Sequence, residues 1–408
     1  MTGAAVGVSQ PRPTAAHVAQ LIGTDSPALS VLHSQPGLGT VLLADPAGYR
    51  DPAEAATQAA VAAVPRLAEL ARTQHAGAVS LLAWAADPGG LAAATVVETL
   101  RGIAQSVTRE VDPARMRVNV VVADPSRPAD VTATLAFLAS AEGSYTAGAT
   151  LDLAAAATAG SPAEARPRLA VVTGAAGGIG RAVVARLAGT REVLAVDVGP
   201  PTSELPAGVS WLASDLLDPS GADAVADAAR RRGGADLLVA AHGLGGTGAL
   251  TTLDEPRVRR VMEVNTATCA RLLTALAVQL NDVGGAAVLV ASQAGLTGEA
   301  EHVAYCASKF ALVGWARAAA RHPGLSDIRL RLICPGCVDT AMFRSAITNW
   351  ARSQHRDPAA VLADRVAQIP AGRLAQPSEI AAGTAYLAAV SAPGLVVLNQ
   401  SGGETFPA

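Results

Sequence analysis

Lys309 is the only lysine in 408 residues, and it stands four positions after Tyr305. Every other one of the 31 basic side chains is arginine. A residue type avoided everywhere else and kept at one position points to chemistry that a guanidinium cannot do. At that spacing on a helix the two side chains share a face. A phenol ionises at a pH of about 10, and a fixed ammonium one turn away favours the phenolate. That would make Tyr305 a candidate acid/base near neutrality. An ammonium with three rotatable donors can also hold a sugar hydroxyl. Ser292 lies thirteen residues before the tyrosine, at the end of an apolar run, and its hydroxyl can polarise a carbonyl or alcohol oxygen. The reading without chemistry is a helix with one surface lysine and one half-buried tyrosine.

Those residues need a scaffold, and the hydrophobic pattern supplies one in two rounds. In the first, 40–44, 78–84, 117–123 and 149–153 read as short buried strands, and 53–73, 91–110 and 130–140 as helices. In the second, strands are expected at 169–172, 192–197, 209–212, 237–241, 286–292, 329–334 and 394–398. Helices are expected at 181–188, through 261–265 to about 280, at 305–321 and at 378–389. This alternation predicts an α/β protein with parallel sheets covered on both faces. Residues 1–36 read as an irregular lead-in, 157–168 as a linker, and 337–376 as an irregular, partly helical excursion. Two domains are therefore expected, 1–160 and 167–408.

The two rounds look related. Segment 328–335 resembles 116–125, and 378–403 matches 128–153 in its helix, small-residue turn and closing strand. Aligned on Leu100-Arg-Gly102 and Leu312-Val-Gly314, Ala93 falls opposite Tyr305 and Val97 opposite Lys309. The first round lacks the chemistry.

Between the first strand and first helix of the second round lies a glycine-rich turn that includes Thr173, Gly174, Gly178, Ile179 and Gly180. In that context glycines let the backbone approach a pyrophosphate, and the helix N-terminus offers free N–H groups. Asp197 ends the next strand, 17 residues after Gly180. A carboxylate there can accept from both hydroxyls of an adenosine ribose and would repel a 2′-phosphate. With no arginine at 175–178 to compensate, NAD(H) is expected over NADP(H). Asp215 is placed either to meet the adenine edge or to cap the turn that follows it.

Composition narrows the function classes. Half the chain is hydrophobic, 16% is charged and the net charge is −3. That leaves no basic field for nucleic acid. No uninterrupted apolar run is long enough to span a bilayer and no leader is evident, so a cytoplasmic protein is expected without a membrane partner. Cys269, Cys306, Cys334 and Cys337 have neither disulfide-framework nor zinc spacing and read as buried, reduced thiols; the seven histidines form no ligand pair, so no metal is expected.

Residues 167–408 resemble the short-chain dehydrogenase/reductase family over nearly their whole length. The likeness rests on Thr173-Gly174-x-x-x-Gly178-x-Gly180, Asn265, Ser292, Tyr305-x-x-x-Lys309, and Pro335-Gly336 with Thr340 beyond. It implies a Rossmann-type doubly wound parallel sheet, a nicotinamide cofactor and a tetrad of Asn265, Ser292, Tyr305 and Lys309. Tyr305 would be the general acid/base, and Ser292 would hold the substrate oxygen. Lys309 would bind the nicotinamide ribose and lower the tyrosine pKa. Asn265 would organise a water, a place equally compatible with an amide bonded to backbone. Gly243, Pro335, Gly336 and Thr340 would join the turn around the cofactor. One departure stands out: where the family carries Asn-Asn-Ala-Gly, this chain has Ala240-Ala241-His242-Gly243. His242 either hydrogen-bonds in place of the missing amides or takes a catalytic part. A degenerate α/β domain before a complete one is similar to the high-molecular-weight 3-oxoacyl-(acyl-carrier-protein) reductase type, and to the paired halves of polyketide-synthase ketoreductases.

The expected activity is NAD(H)-dependent interconversion of a secondary alcohol and a ketone, with a 3-hydroxyacyl/3-oxoacyl thioester as substrate. A cyclic or polyol alcohol is the rival substrate class. A sensor or scaffold that binds NAD is the rival outside enzymes. The excursion 337–376, with Met342, Phe343, Ile347 and Trp350, reads as a substrate lid. Arg344, Arg352 and Arg356 either meet an acyl carrier's phosphates or form a solvated face. The resemblance also implies a homodimer or homotetramer, assembled through the helices that bear Asn265 and Tyr305.

Overall fold

The computed structural model describes residues 17–22, 37–45, 51–73, 77–84, 91–124, 126–154, 169–201, 204–248 and 250–404. The first round of alternation folds as β1 (His17–Ile22), β2 (Thr40–Ala44), α1 (Pro52–Arg72), β3 (Gly77–Trp84), α2 (Leu91–Glu110), β4 (Met116–Ala123), α3 (Pro128–Ala139) and β5 (Thr150–Asp152). All its pairings are parallel, in the order β1-β2-β3-β4-β5. Strands such as β2 and β4 are apolar on both faces because helices cover both. α1 starts where Asp51 accepts from the Ala53 N–H and Pro52 occupies the first turn. The expected irregular lead-in is corrected here: His17–Ile22 is a strand that pairs with β2. The proposed linker 157–168 lies outside the described residues.

The second round gives β6 (Leu169–Thr173), α4 (Gly178–Leu187), β7 (Glu192–Asp197), β8 (Val209–Ala213), α5 (Gly221–Arg230), β9 (Leu237–Ala240), α6 (Glu255–Met262), α7 (Thr268–Asn281), β10 (Ala286–Val290), α8 (Val303–Ala319), β11 (Arg329–Pro335), α9 (Ala341–Ser353), α10 (Pro358–Ala367), α11 (Pro377–Ala389) and β12 (Leu395–Gln400). Its seven parallel strands run β12-β11-β10-β9-β6-β7-β8. This is the doubly wound order, reversing at β6. Three local expectations change. α5 had no counterpart in the sequence reading. The long helix expected through 261–280 is two helices joined by a π turn at Glu263–Ala267. The excursion after β11 is mostly two helices, started by the Thr340 cap and by Pro358. By length and composition alone the run Glu255–Asn281 could cross a membrane. It lays Cys269, Leu272, Leu273, Leu276 and Leu280 into the core instead.

The first sheet repeats part of the second. β1 through β5 follow one another as β6, β9, β10, β11 and β12 do; β7 and β8 have no counterpart in the first sheet among the described residues. The side chains agree. Arg117 on β4 donates to the Leu138 carbonyl at the end of α3, and Arg329 on β11 donates to Ala388 at the matching end of α11. Two residues further on, Asn119 bonds the Thr146 carbonyl and the Ala149 N–H, while Arg331 gathers the carbonyls of Leu387, Val390, Ala392 and Gly394. Both tie down the connection into the last strand.

The two sheets share one apolar cluster. α3 packs on α11, with the Phe137 and Tyr386 rings stacked at 4.4 Å and the Thr134 and Tyr386 hydroxyls 2.6 Å apart. Asp130 accepts from the Ser391 N–H and hydroxyl at 2.8 and 2.7 Å, and β5 lies against β12.

Candidate active site

At β6 the neighbouring strands are β7 on one side and β9 on the other, and in such sheets ligands bind in the crevice beyond the strand ends there. Two segments leave the sheet at that point: the turn from β6 into α4, and residues 241–248 after β9. Gly174 has φ +67°, and a Cβ on it would lie 2.7 Å from the Ala241 carbonyl oxygen. A Cβ on Gly180 would meet the Gly174 carbonyl, and one on Gly178 would come 2.7 Å from the Thr340 methyl. Side chains are excluded, so bare backbone and the α4 N-terminus form a cradle suited to a pyrophosphate. Ile179 packs into the core beneath it. Asp197 ends β7 against this turn, with Oδ2 accepting from the Ala176 N–H at 2.9 Å. Asp215 is exposed and bonds locally, accepting from the Leu217 N–H at 2.9 Å, which is the capping alternative.

Ser292 follows β10, Tyr305 stands in the first turn of α8, and Lys309 comes one turn later. The lysine is no surface residue: it is 4% exposed, and its Nζ donates to the Val290 carbonyl at 3.0 Å. Burial lowers its pKa. The Ser292 hydroxyl accepts from the Ala294 N–H at 3.1 Å and hydrogen-bonds Tyr305. A Cβ on Gly243 would lie 3.2 Å from Asn265 Oδ1 and 3.8 Å from Lys309 Nζ, and one on Gly246 would crowd the Tyr305 backbone. Segment 243–246 therefore threads between α8 and the π turn. That turn lets Asn265 reach sideways: Oδ1 accepts from the Leu244 N–H at 2.7 Å, and Nδ2 donates to the Leu244 carbonyl and the Ser308 hydroxyl at 3.0 and 2.9 Å. Both amide hydrogens are committed to protein.

One expected direction is reversed. Burial pushes the Tyr305 pKa up to about 12, with the Ser292 hydrogen bond pulling back and the nearby Glu299 charge adding to the rise. The Lys309 ammonium, 5.7 Å from the ring centroid and itself desolvated, does not offset this.

His242 bridges two elements through both of its ring nitrogens. Its Nδ1 lies 2.6 Å from Thr173 Oγ1 and its Nε2 lies 2.8 Å from Thr268 Oγ1. The Thr268 hydroxyl already donates to the Val264 carbonyl at 2.6 Å. Nε2 must therefore be the donor to Thr268, and Nδ1 accepts from Thr173. The ring joins the end of β6 to the start of α7 as a neutral imidazole, and burial together with the Lys309 charge lowers its pKa to about 4.

Pro335 ends β11 and Gly336 follows it, where an added Cβ would sit 3.0 Å from Gln293 Oε1. Thr340 caps α9 by accepting from the Phe343 N–H at 3.2 Å. From α9, Met342 lies over Gly245, and Ile347 packs with Ala351 and Val361 in a small cluster flanked by Phe343 and Trp350. Arg344 pairs with Asp339 and Arg356 with Asp364, and Arg352 donates to Asn349, all on an exposed face. Sequence reading missed Glu299 and His302. His302 is buried at the start of α8, bonding Glu299 and Thr247, with its ring 5.6 Å from Tyr305 and 4.8 Å from Trp350. Their i, i+3 spacing just ahead of the tyrosine was the available signal. The four cysteines are free and buried. Among the described residues, no three potential metal ligands cluster.

Comparison with known proteins gives this geometry a context. Residues 168–350 match a family model described as short chain dehydrogenase. Cis-4-hydroxycyclohexanecarboxylate dehydrogenase of Sinomonas cyclohexanicum is 34% identical over 252 residues, which is 58% of this chain and 96% of that enzyme. The 3-oxoacyl-[acyl-carrier-protein] reductase of Vibrio cholerae is 30% identical over 236 residues, covering 55% of this chain and 91% of that one. Among solved structures, an actinorhodin polyketide ketoreductase with NADPH superposes with a TM-score of 0.54 at 26% identity, covering 58% of this chain and 97% of that one.

Proposed function

Because the chain belongs to the short-chain dehydrogenase family, and so is an oxidoreductase, we propose that it interconverts a secondary alcohol and a ketone with NAD(H), using Tyr305 as general acid/base. The observation that carries this reading is the convergence of Ser292, Tyr305, Lys309 and Asn265 around the glycine segment 243–246, beside a turn that excludes side chains. We assign the catalytic part to 167–408 and treat 1–160 as an accompanying domain.

The glycine turn 173–180 would hold the pyrophosphate on the α4 N-terminus, and Asp197 the adenosine ribose. Lys309, Pro335, Gly336 and Thr340 would surround the nicotinamide end. The cofactor supplies or accepts the hydride. The rest belongs to the protein. Ser292 donates a hydrogen bond to the substrate oxygen. Tyr305, protonated because burial raises its pKa, gives its proton to that oxygen when a ketone is reduced and becomes a tyrosinate; in the reverse direction that tyrosinate takes the alcohol's proton. Asn265 holds the 244 backbone against α8 and so fixes the width of the site.

Tyr305→Phe tests this directly: kcat should fall at least 1000-fold while NADH binding, followed by fluorescence titration, stays within a factor of three. Retained turnover would sink the acid/base reading, and an unaltered cellular phenotype would favour a sensor. For the substrate, the resemblance to acyl-carrier-protein reductases supports a 3-oxoacyl thioester. The similarity to a cyclohexanol-type dehydrogenase supports a cyclic alcohol. A steady-state panel of acetoacetyl thioesters against cyclic and polyol alcohols separates them.

A further inference from the structure

Among the described residues, the first half of the chain approaches the reaction centre at the segment that follows β12. After β12, residues 401–404 turn through Gly402 and Gly403, at φ +66° and +86°. First-half side chains shape both glycines. A Cβ on Gly402 would lie 2.8 Å from the Tyr145 ring, and one on Gly403 would lie 2.7 Å from the Thr108 methyl. The Gly402 N–H donates to the Tyr145 carbonyl at 3.0 Å, and the Tyr145 hydroxyl donates to the Arg373 carbonyl at 3.2 Å. Tyr145 is fully buried, so its ring and the turn are packed as one piece.

The next residue is Glu404, with a side chain 10% exposed. It pairs with Arg365 of α10 and hydrogen-bonds Gln293, which directly follows Ser292. Arg365 also lies 3.7 Å from Glu299. Gln293 Nε2 donates to Glu299 at 3.1 Å, and Glu299 in turn bonds His302, whose ring faces Tyr305. A buried carboxylate with a guanidinium and a carboxamide is costly to break from either side. The contacts are continuous from Tyr145 to the Ser292–Tyr305 pair, and α10 is anchored by the same carboxylate.

We propose that Glu404, presented by Tyr145 and Thr108 of the first half, is a positioning residue that docks α10 and sets the Gln293–Glu299–His302 side of the site. The non-catalytic half thereby acts on the substrate side and leaves the cofactor side alone. Only the kinetic consequence rests on the activity proposed above; the docking does not.

The test uses the full chain. In Glu404→Gln, amide hydrogen exchange of 358–367 and 293–302 should quicken at least tenfold, while 178–187 at the cofactor turn is unchanged and NADH titration gives the wild-type Kd. Tyr145→Ala should quicken the same two segments, and Tyr145→Phe, which keeps the ring, should restore protection. If Tyr145→Ala does not fold, Thr108→Gly removes the methyl against Gly403 and replaces it. With whichever of acetoacetyl-CoA or cyclohexanone the wild type reduces, Glu404→Gln should raise KM about tenfold and change kcat less. Unchanged exchange of 358–367 in Glu404→Gln overturns the docking, even if neither ketone is a substrate. Normal exchange of that segment in Tyr145→Ala removes the first half from the assignment. Changed exchange with an unaltered KM overturns the substrate-side role.

Discussion

His242 bonds Thr173 and Thr268 from within the core, and the consequences are measurable. Its pKa is about 4 in the folded chain against an ordinary value of 6.5. As pH falls from about 6.5 to about 4, the unfolded chain takes up the proton first, so stability is lost through that window, by at most about 3 kcal/mol. Denaturation midpoints measured across this range should slope downward in the wild type, and the slope should flatten in His242→Asn. An identical slope in both proteins would remove His242 as its source. Asp197 supports a prediction of a different kind. Its carboxylate on the 173–180 turn should give at least a tenfold advantage in kcat/KM to NADH over NADPH, and Asp197→Ser should narrow it. A wild type that prefers NADPH would reverse the cofactor assignment. The chemistry-bearing residues were legible because type and spacing are local properties. The environment of Tyr305 was not: its pKa depends on burial by segments far away in the chain.

At the scale of elements, Arg117 and Asn119 on β4 and Arg329 and Arg331 on β11 brace the connections that lead into β5 and β12. Arg331 is fully buried and donates to the Leu387 carbonyl near the end of α11 and to the Val390, Ala392 and Gly394 carbonyls of the connection to β12. Arg331→Met would leave several buried acceptors without donors and should cost about 3 kcal/mol in urea unfolding. Asn119→Ala should cost about 1–3 kcal/mol for the same reason in the first half. If both variants unfold like the wild type, the shared bracing is not a stability device. Most strands and helices could be read from periodicity, since a buried apolar run or a 3.6-residue stripe needs no knowledge of partners. The π turn could not. What rewards it is Asn265 reaching Leu244 and Ser308 and Thr266 reaching Ser308, all partners distant in sequence. α9 and α10 carried legible caps at Thr340 and Pro358, which the low periodicity of 337–376 obscured.

For the whole molecule, the apolar cluster shared by the two sheets means that the second half is not finished by its own residues. Segment 167–408 produced alone should expose the Tyr386 face of α11 and the adjacent β12, and light scattering should show it self-associating or precipitating. A monodisperse 167–408 monomer that melts at the full chain's Tm would show that the first half is dispensable for stability.

The amino-acid sequence by itself determined the family, the two rounds of α/β alternation and the short list of residues able to do chemistry. Each of those depends on residue type and on spacing along a few turns or strands. Only the tertiary structure decided that Lys309 is buried, that His242 bridges Thr173 and Thr268, and that Tyr145 packs against the turn leading to Glu404. Those facts rest on contacts between separate elements, from His242 with Thr173 to Gly402 with Tyr145, the last pair more than 200 positions apart in the chain. Contacts of that range form because packing closes the chain on itself, and no local pattern records them.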